Sequence, residues 1–319
     1  MRAPQGWRPF NDNSPWNTRI PGRPAVDARS GQMIQDLFLV NSYPTQPAGK
    51  LGVCVKNWSI PVYVVDDKKV KGSKINYSMF HKFCHPQNLF THAPVTPKIL
   101  PDRQGDAHLC VVNKSLTKAW DFWSLKRIKG QWVARSGREV DLTGMGVQQP
   151  GSGGCRAAGF PLIAGLIRPD EIARGRIDHA LVFAYATPKH GAYVYPATLS
   201  DGMSVRPGAI PEGARLQLDP NLDLDRLHLK PAAKVIARAL QEYGMYLGDG
   251  SGGFCIYAEV FPGRKDQWQG VLGPFDLFDI PTERFRVLKL PKLQREGIPL
   301  DWPTTKDLEK DPGFFGRYN

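Results

Sequence analysis

The chain has 319 residues, 41% hydrophobic and 23% charged, which is enough to bury a sizeable core and excludes disordered and collagenous classes. Its longest apolar stretches, such as Phe160 to Ile167, fall far short of the ~20 residues that a membrane-spanning helix needs, so no membrane partner is expected. The net charge of +12 favours acidic partners; yet the basic residues are scattered, and the densest run, Lys68 to Lys74, reads as a hairpin tip, so nucleic acid is not expected.

The N-terminal MRAPQGWRPFNDNSPWN lacks the apolar run of a signal peptide, so Met1 either starts a cytoplasmic protein or replaces a removed export signal. Met33, Ile34, Leu37 and Phe38 fall at helical spacing and predict a short amphipathic helix. The β-branched run WSIPVYVVDD predicts a strand, and the Pro-, His- and Asn-rich stretch from Gly72 to Pro101 a long loop. From His108 onward AHLCVV, AWDFWSL and QWVARSG predict a succession of short strands. Pro169 with Asp170 and Glu171 behind it marks a helix start, which leads into the strand RIDHALVFAY.

Further strands are predicted at YVYPATL and ARLQLDP. In AAKVIARALQEYG, residues Ala233, Ile236, Ala237, Leu240 and Tyr243 share one face and Gly244 ends the helix. MYLGDGSGGFCIYAEV reads as a hairpin turning at Asp249 and Gly250. With no Ser/Gly-rich or charged linker, residues 1–319 are expected to form one β-rich domain, with an extended N-terminal segment and a Pro- and aromatic-rich tail over about 263–319. The expected architecture is mainly β, a sandwich or jelly-roll-like arrangement with two or three short peripheral helices.

Five cysteines, Cys54, Cys84, Cys110, Cys155 and Cys255, include no CxxC pair, which argues against zinc-ribbon and thioredoxin-like sites. In an exported protein Cys54 and Cys110 are expected to bridge, since both lie in early strand-like runs; five reduced buried cysteines are the alternative. His81, Cys84 and His85 in HKFCHP lie close in sequence, but the segment is not helical in pattern and no distant ligand pair completes a zinc set. Neither a metal nor a cofactor is expected, and GSGGCRAAGF matches no nucleotide-binding glycine pattern.

The segments GRIDHALVFAY, YPATLSDG, IPEGARLQLDP and ARALQEYGMYLGDGSGG, with SPWNTRIP and GDAHLCVV, resemble a family of secreted bacterial proteins of actinobacterial and soil-metagenome type. The resemblance spans most of the chain and implies export and a shared β-rich architecture. It implies no catalytic residue, and an extracellular location is the expectation that follows from it.

Candidate chemistry comes from ionisable residues in apolar surroundings. Asp178 and His179 sit inside an apolar run, where burial would shift their pKa values towards proton transfer; the structural alternative is a carboxylate holding Arg174 or Arg176 and a hydrogen-bonded core histidine. Asp106 and His108 share a face by period two, so the carboxylate could orient the imidazole as a base. Glu212 and Asp249 stand at turns and join Asp178 and Asp219 as candidates for the two carboxylates of a glycosidase.

Trp120 and Trp123 lie on opposite faces of one strand, so at most one can offer a sugar-stacking ring, and Trp123 is the candidate. A lyase acting on a uronic-acid polymer would need a base such as His108 or His179, a donor such as Tyr243, and cations such as Arg156 or Arg215. The expectation is therefore a carbohydrate-active enzyme, a glycoside hydrolase or polysaccharide lyase acting on a polysaccharide that could be acidic. Its catalytic candidates are His108, Asp178, His179, Glu212 and Asp249, and its binding candidates Asp106, Trp123, Arg156, Arg215 and Tyr243. The competing expectation is a non-catalytic carbohydrate-binding or surface-structural protein.

Overall fold

A computed structural model describes residues 4–39, 46–78, 90–151, 153–261 and 267–295. Along the chain come α1 (Ser30–Asp36), β1 (Gly52–Cys54), β2 (Ile60–Val65), β3 (Ser73–Tyr77), β4 (His92–Ala93), β5 (Leu109–Asn113) and β6 (Lys118–Trp123). They are followed by β7 (Lys126–Ile128), β8 (Gln131–Ala134), β9 (Ser136–Asp141), α2 (Pro169–Arg174), β10 (Leu181–Tyr185), β11 (Ala192–Tyr193) and β12 (Arg215–Leu218). The last are α3 (Pro231–Glu242), β13 (Met245–Gly250), β14 (Cys255–Tyr257), β15 (Glu259–Val260), β16 (Phe285–Val287) and β17 (Gln294–Arg295). The protein is mainly sheet, with 28% strand and 12% helix, and its layered sheets form a sandwich-like arrangement that does not close into a barrel.

Side-chain alternation explains the layers. In the six-stranded sheet β1-β14-β10-β13-β12-β16, Leu181, Phe183 and Tyr185 of β10 point to one core, shared with Met33 and Ile34 of α1 and Ile236 and Leu240 of α3. Val182 and Ala184 point the other way, into a core shared with Val62, Val64, Cys110 and Val112 of the five-stranded sheet β15-β2-β5-β6-β9. The far face of that sheet, through Leu109, Val111 and Phe122, packs on Ile75, Trp132 and Ala134 of the four-stranded sheet β4-β3-β8-β7. Each such side chain, fully buried, contributes about 1.5–3 kcal/mol of apolar transfer.

The segment after the glycine-rich loop lies between the two large sheets. Ala158, Phe160, Leu162, Ile163, Ala164 and Leu166 belong to the inter-sheet core, and its main chain is tied to the six-stranded sheet by Ala158 N–H to Gly248 O (3.0 Å) and Val182 N–H to Gly165 O (3.2 Å). The five-stranded sheet holds it through polar groups. Asp121 accepts from Leu162 N–H at 2.8 Å, and Arg138 donates to Gly159 O at 3.1 Å.

Three expectations are corrected. The stretch 245–260 is no hairpin: β13 and β14 flank β10, one parallel and one antiparallel, because the wholly buried LVFAY strand takes the centre of the sheet. The stretch 72–101 carries β3 and β4, with residues 79–89, and hence His81, Cys84 and His85, outside the described residues. No disulfide joins Cys54 and Cys110: Cys54 lies on β1 of the six-stranded sheet against Cys255, and Cys110 lies on β5 of the opposite sheet against Asp121. No helix among the described residues is long and apolar enough to cross a membrane.

Candidate functional site

Carboxyl groups gather at the mouth of the inter-sheet space, and a β-bulge brings one of them there. Phe183 pairs with Leu247, yet the next residue, Ala184, pairs with Asp249, so Gly248 is an extra residue in β13. Leu247 faces the helix-side core, and the bulge turns Asp249 to the side of Ala184, the inter-sheet side. Only glycine fits, since a Cβ at Gly248 would stand 2.8 Å from both Phe160 and Val182. Asp201 comes from the 194–214 connection and reaches the same strand end, its Oδ1 lying 3.8 Å from where a Gly250 Cβ would be.

Glu212 enters from the same connection. Its main chain is fixed by Val194 N–H to Glu212 O (2.8 Å) and Gly213 N–H to Leu247 O (2.8 Å). Gly213 has φ +86°, and any Cβ there would collide with Val194 O. From the opposite sheet, the turn before β5 supplies Asp106 and His108. Asp106 accepts from Trp123 Nε1 at 3.1 Å, and its carbonyl from Ser124 N–H at 2.6 Å. Ala107 between them has φ +38°, a left-handed backbone held in place by these contacts. The His108 Nε2–H donates to Cys155 O at 2.8 Å, so the carbonyl rather than Asp106 orients the ring and Nδ1 is left as acceptor.

Arg156, 3% exposed, stacks on Tyr257 at 4.6 Å from the ring centre, and its Nε and Nη1 have no hydrogen-bond partner among the described residues. Glu212 is fully buried; neither carboxyl oxygen makes a regular hydrogen bond, and Asp201 Oδ1 is likewise unpartnered. Asp106, Asp201 and Asp249 are half-buried and open the cluster to solvent.

Electrostatics follow from this crowding. Burial, reinforced by Asp201, pushes Asp249 well above the usual carboxylate range despite the nearby Arg156. Burial and the charges of Asp201 and Asp249 do the same to Glu212. Asp201 rises to about 6, through burial first and Asp106 further, with the Glu212 carboxyl hydrogen-bonding to it and pulling it down. Two carboxyls in contact with at least one proton between them behave as a coupled acid pair. His108 is shifted down by burial, against the opposing pull of Asp106, and so stays neutral. Among the described residues no group of three or more His, Cys, Asp or Glu has the geometry to hold a metal ion.

The structure therefore brings together His108, Glu212, Asp249, Asp106, Trp123 and Arg156 of the expected residues, and adds Asp201, Cys255 and Tyr257, which sequence reasoning missed. Asp201 stood in plain view in YPATLSDG, but an Asp-Gly pair reads as a turn.

Four expected residues lie elsewhere. Asp178 precedes β10 and pairs with Arg176 and Arg174. His179 Nε2 meets Glu171 at 2.9 Å and its Nδ1 meets Ala180 O at 2.9 Å, inside a buried cluster with Arg168. Arg215 donates to Tyr243 O and Thr18 O and stacks on Tyr246 at 5.0 Å. Asp178, His179 and Arg215 thus spend their side chains holding strand and helix ends together, and Tyr243 stands with Arg215 at the end of α3, apart from the carboxyl cluster. A surface groove lined by Arg19, Gln217, Arg238, Gln241 and Glu242 lies beside Arg215, and there Arg19 and Glu242 pair at 3.2 Å.

Comparison with known proteins returned no matching family model, no matching curated protein and no matching solved structure.

Proposed function

We propose that the protein is a glycan-cleaving enzyme working by carboxyl acid/base chemistry, a glycoside hydrolase in preference to a polysaccharide lyase. The observation that carries this reading is the convergence of Asp201, Glu212 and Asp249, all shifted towards their protonated forms, at a half-open mouth. Asp249, which burial and Asp201 push well above the usual carboxylate range, is the general acid for the departing glycosidic oxygen. Asp201, titrating near 6, is the ionised partner that activates water or attacks the sugar, with Glu212 as the donor that holds it.

The half-buried Trp123 indole, tied to Asp106 and flanked by Arg135 at 5.4 Å, offers an aromatic surface for a sugar ring at the rim. The lyase branch keeps His108 and Arg156 at the site but loses its expected proton donor, because Tyr243 stands beside Arg215 at the end of α3.

Release of reducing ends from a panel of neutral and acidic polysaccharides tests the proposal. Asp249→Asn should lower kcat by at least about 100-fold with no loss of melting temperature, since it removes a buried ionisable group. The acid limb of the pH–rate profile should fall at about 6, the titration of Asp201. Full activity in both Asp249→Asn and Asp201→Asn would overturn the assignment. Silence across the panel, with retained glycan binding, would favour a non-catalytic binding protein.

A further inference from the structure

Cys54 and Cys255 lie on the neighbouring strands β1 and β14, which run parallel with Gly52 opposite Cys255 and Cys54 opposite Tyr257. Both thiols point to the inter-sheet side, two residues apart across the pair, and are near enough for each to shift the other's acidity. Cys255 is 5% exposed and also contacts Ser251 Oγ at 3.5 Å, while Cys54 is half-exposed. β1 is a three-residue edge strand, and Trp58 beyond it has φ +59°. A short edge strand beside a turn can move the small distance that sulfur–sulfur bonding requires more cheaply than a central strand can.

We propose that Cys54 and Cys255 are a reversible dithiol/disulfide couple, a redox modification site in the wall of the carboxyl cluster. This does not rest on the glycan-cleaving reading. Cys255 is the attacking sulfur, because the hydrogen bonds from Cys54 and Ser251 and the charge of Arg156 favour its thiolate, whereas the Cys54 thiol is pushed up. With a peroxide as oxidant, the Cys255 thiolate attacks one oxygen, the O–O bond breaks, and the departing hydroxide takes a proton to become water. Cys255 is then a sulfenic acid. The Cys54 sulfur attacks the Cys255 sulfur, the S–O bond breaks, and the oxygen leaves as water with the proton from Cys54. Two thiols lose two electrons, and one peroxide becomes two waters.

The couple sits where it can act on the site. The charge of Cys255 adds to the upward push on Asp249, and both lie near Arg156 and Tyr257. The bridge removes the ionisable thiol from that cluster.

The test is a hydrogen peroxide titration of the full, pre-reduced chain, with peptide mapping under non-reducing conditions. A Cys54–Cys255 cross-linked peptide should form before Cys110 or Cys155 is modified, and dithiothreitol should reverse it. Cys54→Ser, a half-exposed position, should fold normally, form no bridge, and instead accumulate a sulfenic acid at Cys255 that dimedone traps. Thiols at 54 and 255 that persist while other cysteines oxidise, a bridge to a different partner, or a Cys54→Ser chain with unchanged oxidation behaviour would each overturn the proposal.

Discussion

His179 shows how a buried ionisable side chain can be wholly occupied by structure. It shares Glu171 Oε1 with Arg168, at 2.9 and 3.1 Å, and Glu171 Oε2 accepts from the Arg168 amide at 3.1 Å. Against the upward push of burial, His179 and Arg168 hold Glu171 down at about 2. Removing one member of such a set leaves buried charge uncompensated, so Glu171→Gln should cost roughly 3–5 kcal/mol of stability. Denaturant melts measure this, while turnover per folded molecule should not change. Lost turnover at full stability would return the Asp178–His179 region to the active site. The contrast with Glu212, equally buried but set among other acids with no cation paired to it, could not be read in the sequence, because an acid next to apolar residues looks the same whether or not a distant Arg meets it.

At the scale of elements, the sequence was most legible where the signal was local. Pro169 with Asp170 and Glu171 marks α2, and the apolar stripe of α3 buries Ala233, Ile236, Ala237 and Leu240 as its spacing requires. The bulge at Gly248 was not legible, since Gly-Asp-Gly spells a turn and the extra residue appears only against β10. Gly248→Ala drives a methyl into Phe160 and Val182, and overpacking of this kind costs about 1–3 kcal/mol. The same change should displace Asp249. Activity should therefore fall by more than the lost folded fraction explains, as a thermal melt read beside turnover would show. Wild-type turnover in Gly248→Ala would separate the bulge from the chemistry. Strand pairing was likewise beyond local reading: β10 meets strands some 60 to 75 residues later in the chain on both of its edges.

At the scale of the whole molecule, buried acids set the dependence of stability on pH. Asp121, 1% exposed between the large sheets, is raised from 3.8 to about 6, chiefly by burial. The folded state thus binds its proton more tightly than the unfolded chain. Its contribution is present at low pH and is lost as pH rises from 3.8 through about 6, an effect of order 3 kcal/mol at most. Asp201 has the same sign. Glu171 has the opposite sign: its contribution holds above 4.5 and disappears as pH falls towards about 2. The melting temperature should therefore peak at about pH 4 to 5 and fall on both sides, with Asp121→Asn flattening the alkaline decline. A scan of melting temperature from acid to alkaline pH checks this, and a maximum near pH 8 would refute it. The β-rich, layered character of the molecule was legible because alternation and short turn-bounded runs are local. The site was less so, because it joins two sheets.

The segment 153–167 between those sheets has a consequence in time. Its Phe160 and Leu162 fill the space that the two sheets would otherwise have to close for themselves, so neither sheet can dock on the other until this loop has been laid down. The groups at the mouth come from several separate stretches of chain, from Cys54 to Tyr257, and contacts between such distant stretches are slow to form. The carboxyl cluster is therefore assembled only when both sheets and the loop between them are in place, so whatever task it performs is reserved to the fully folded chain.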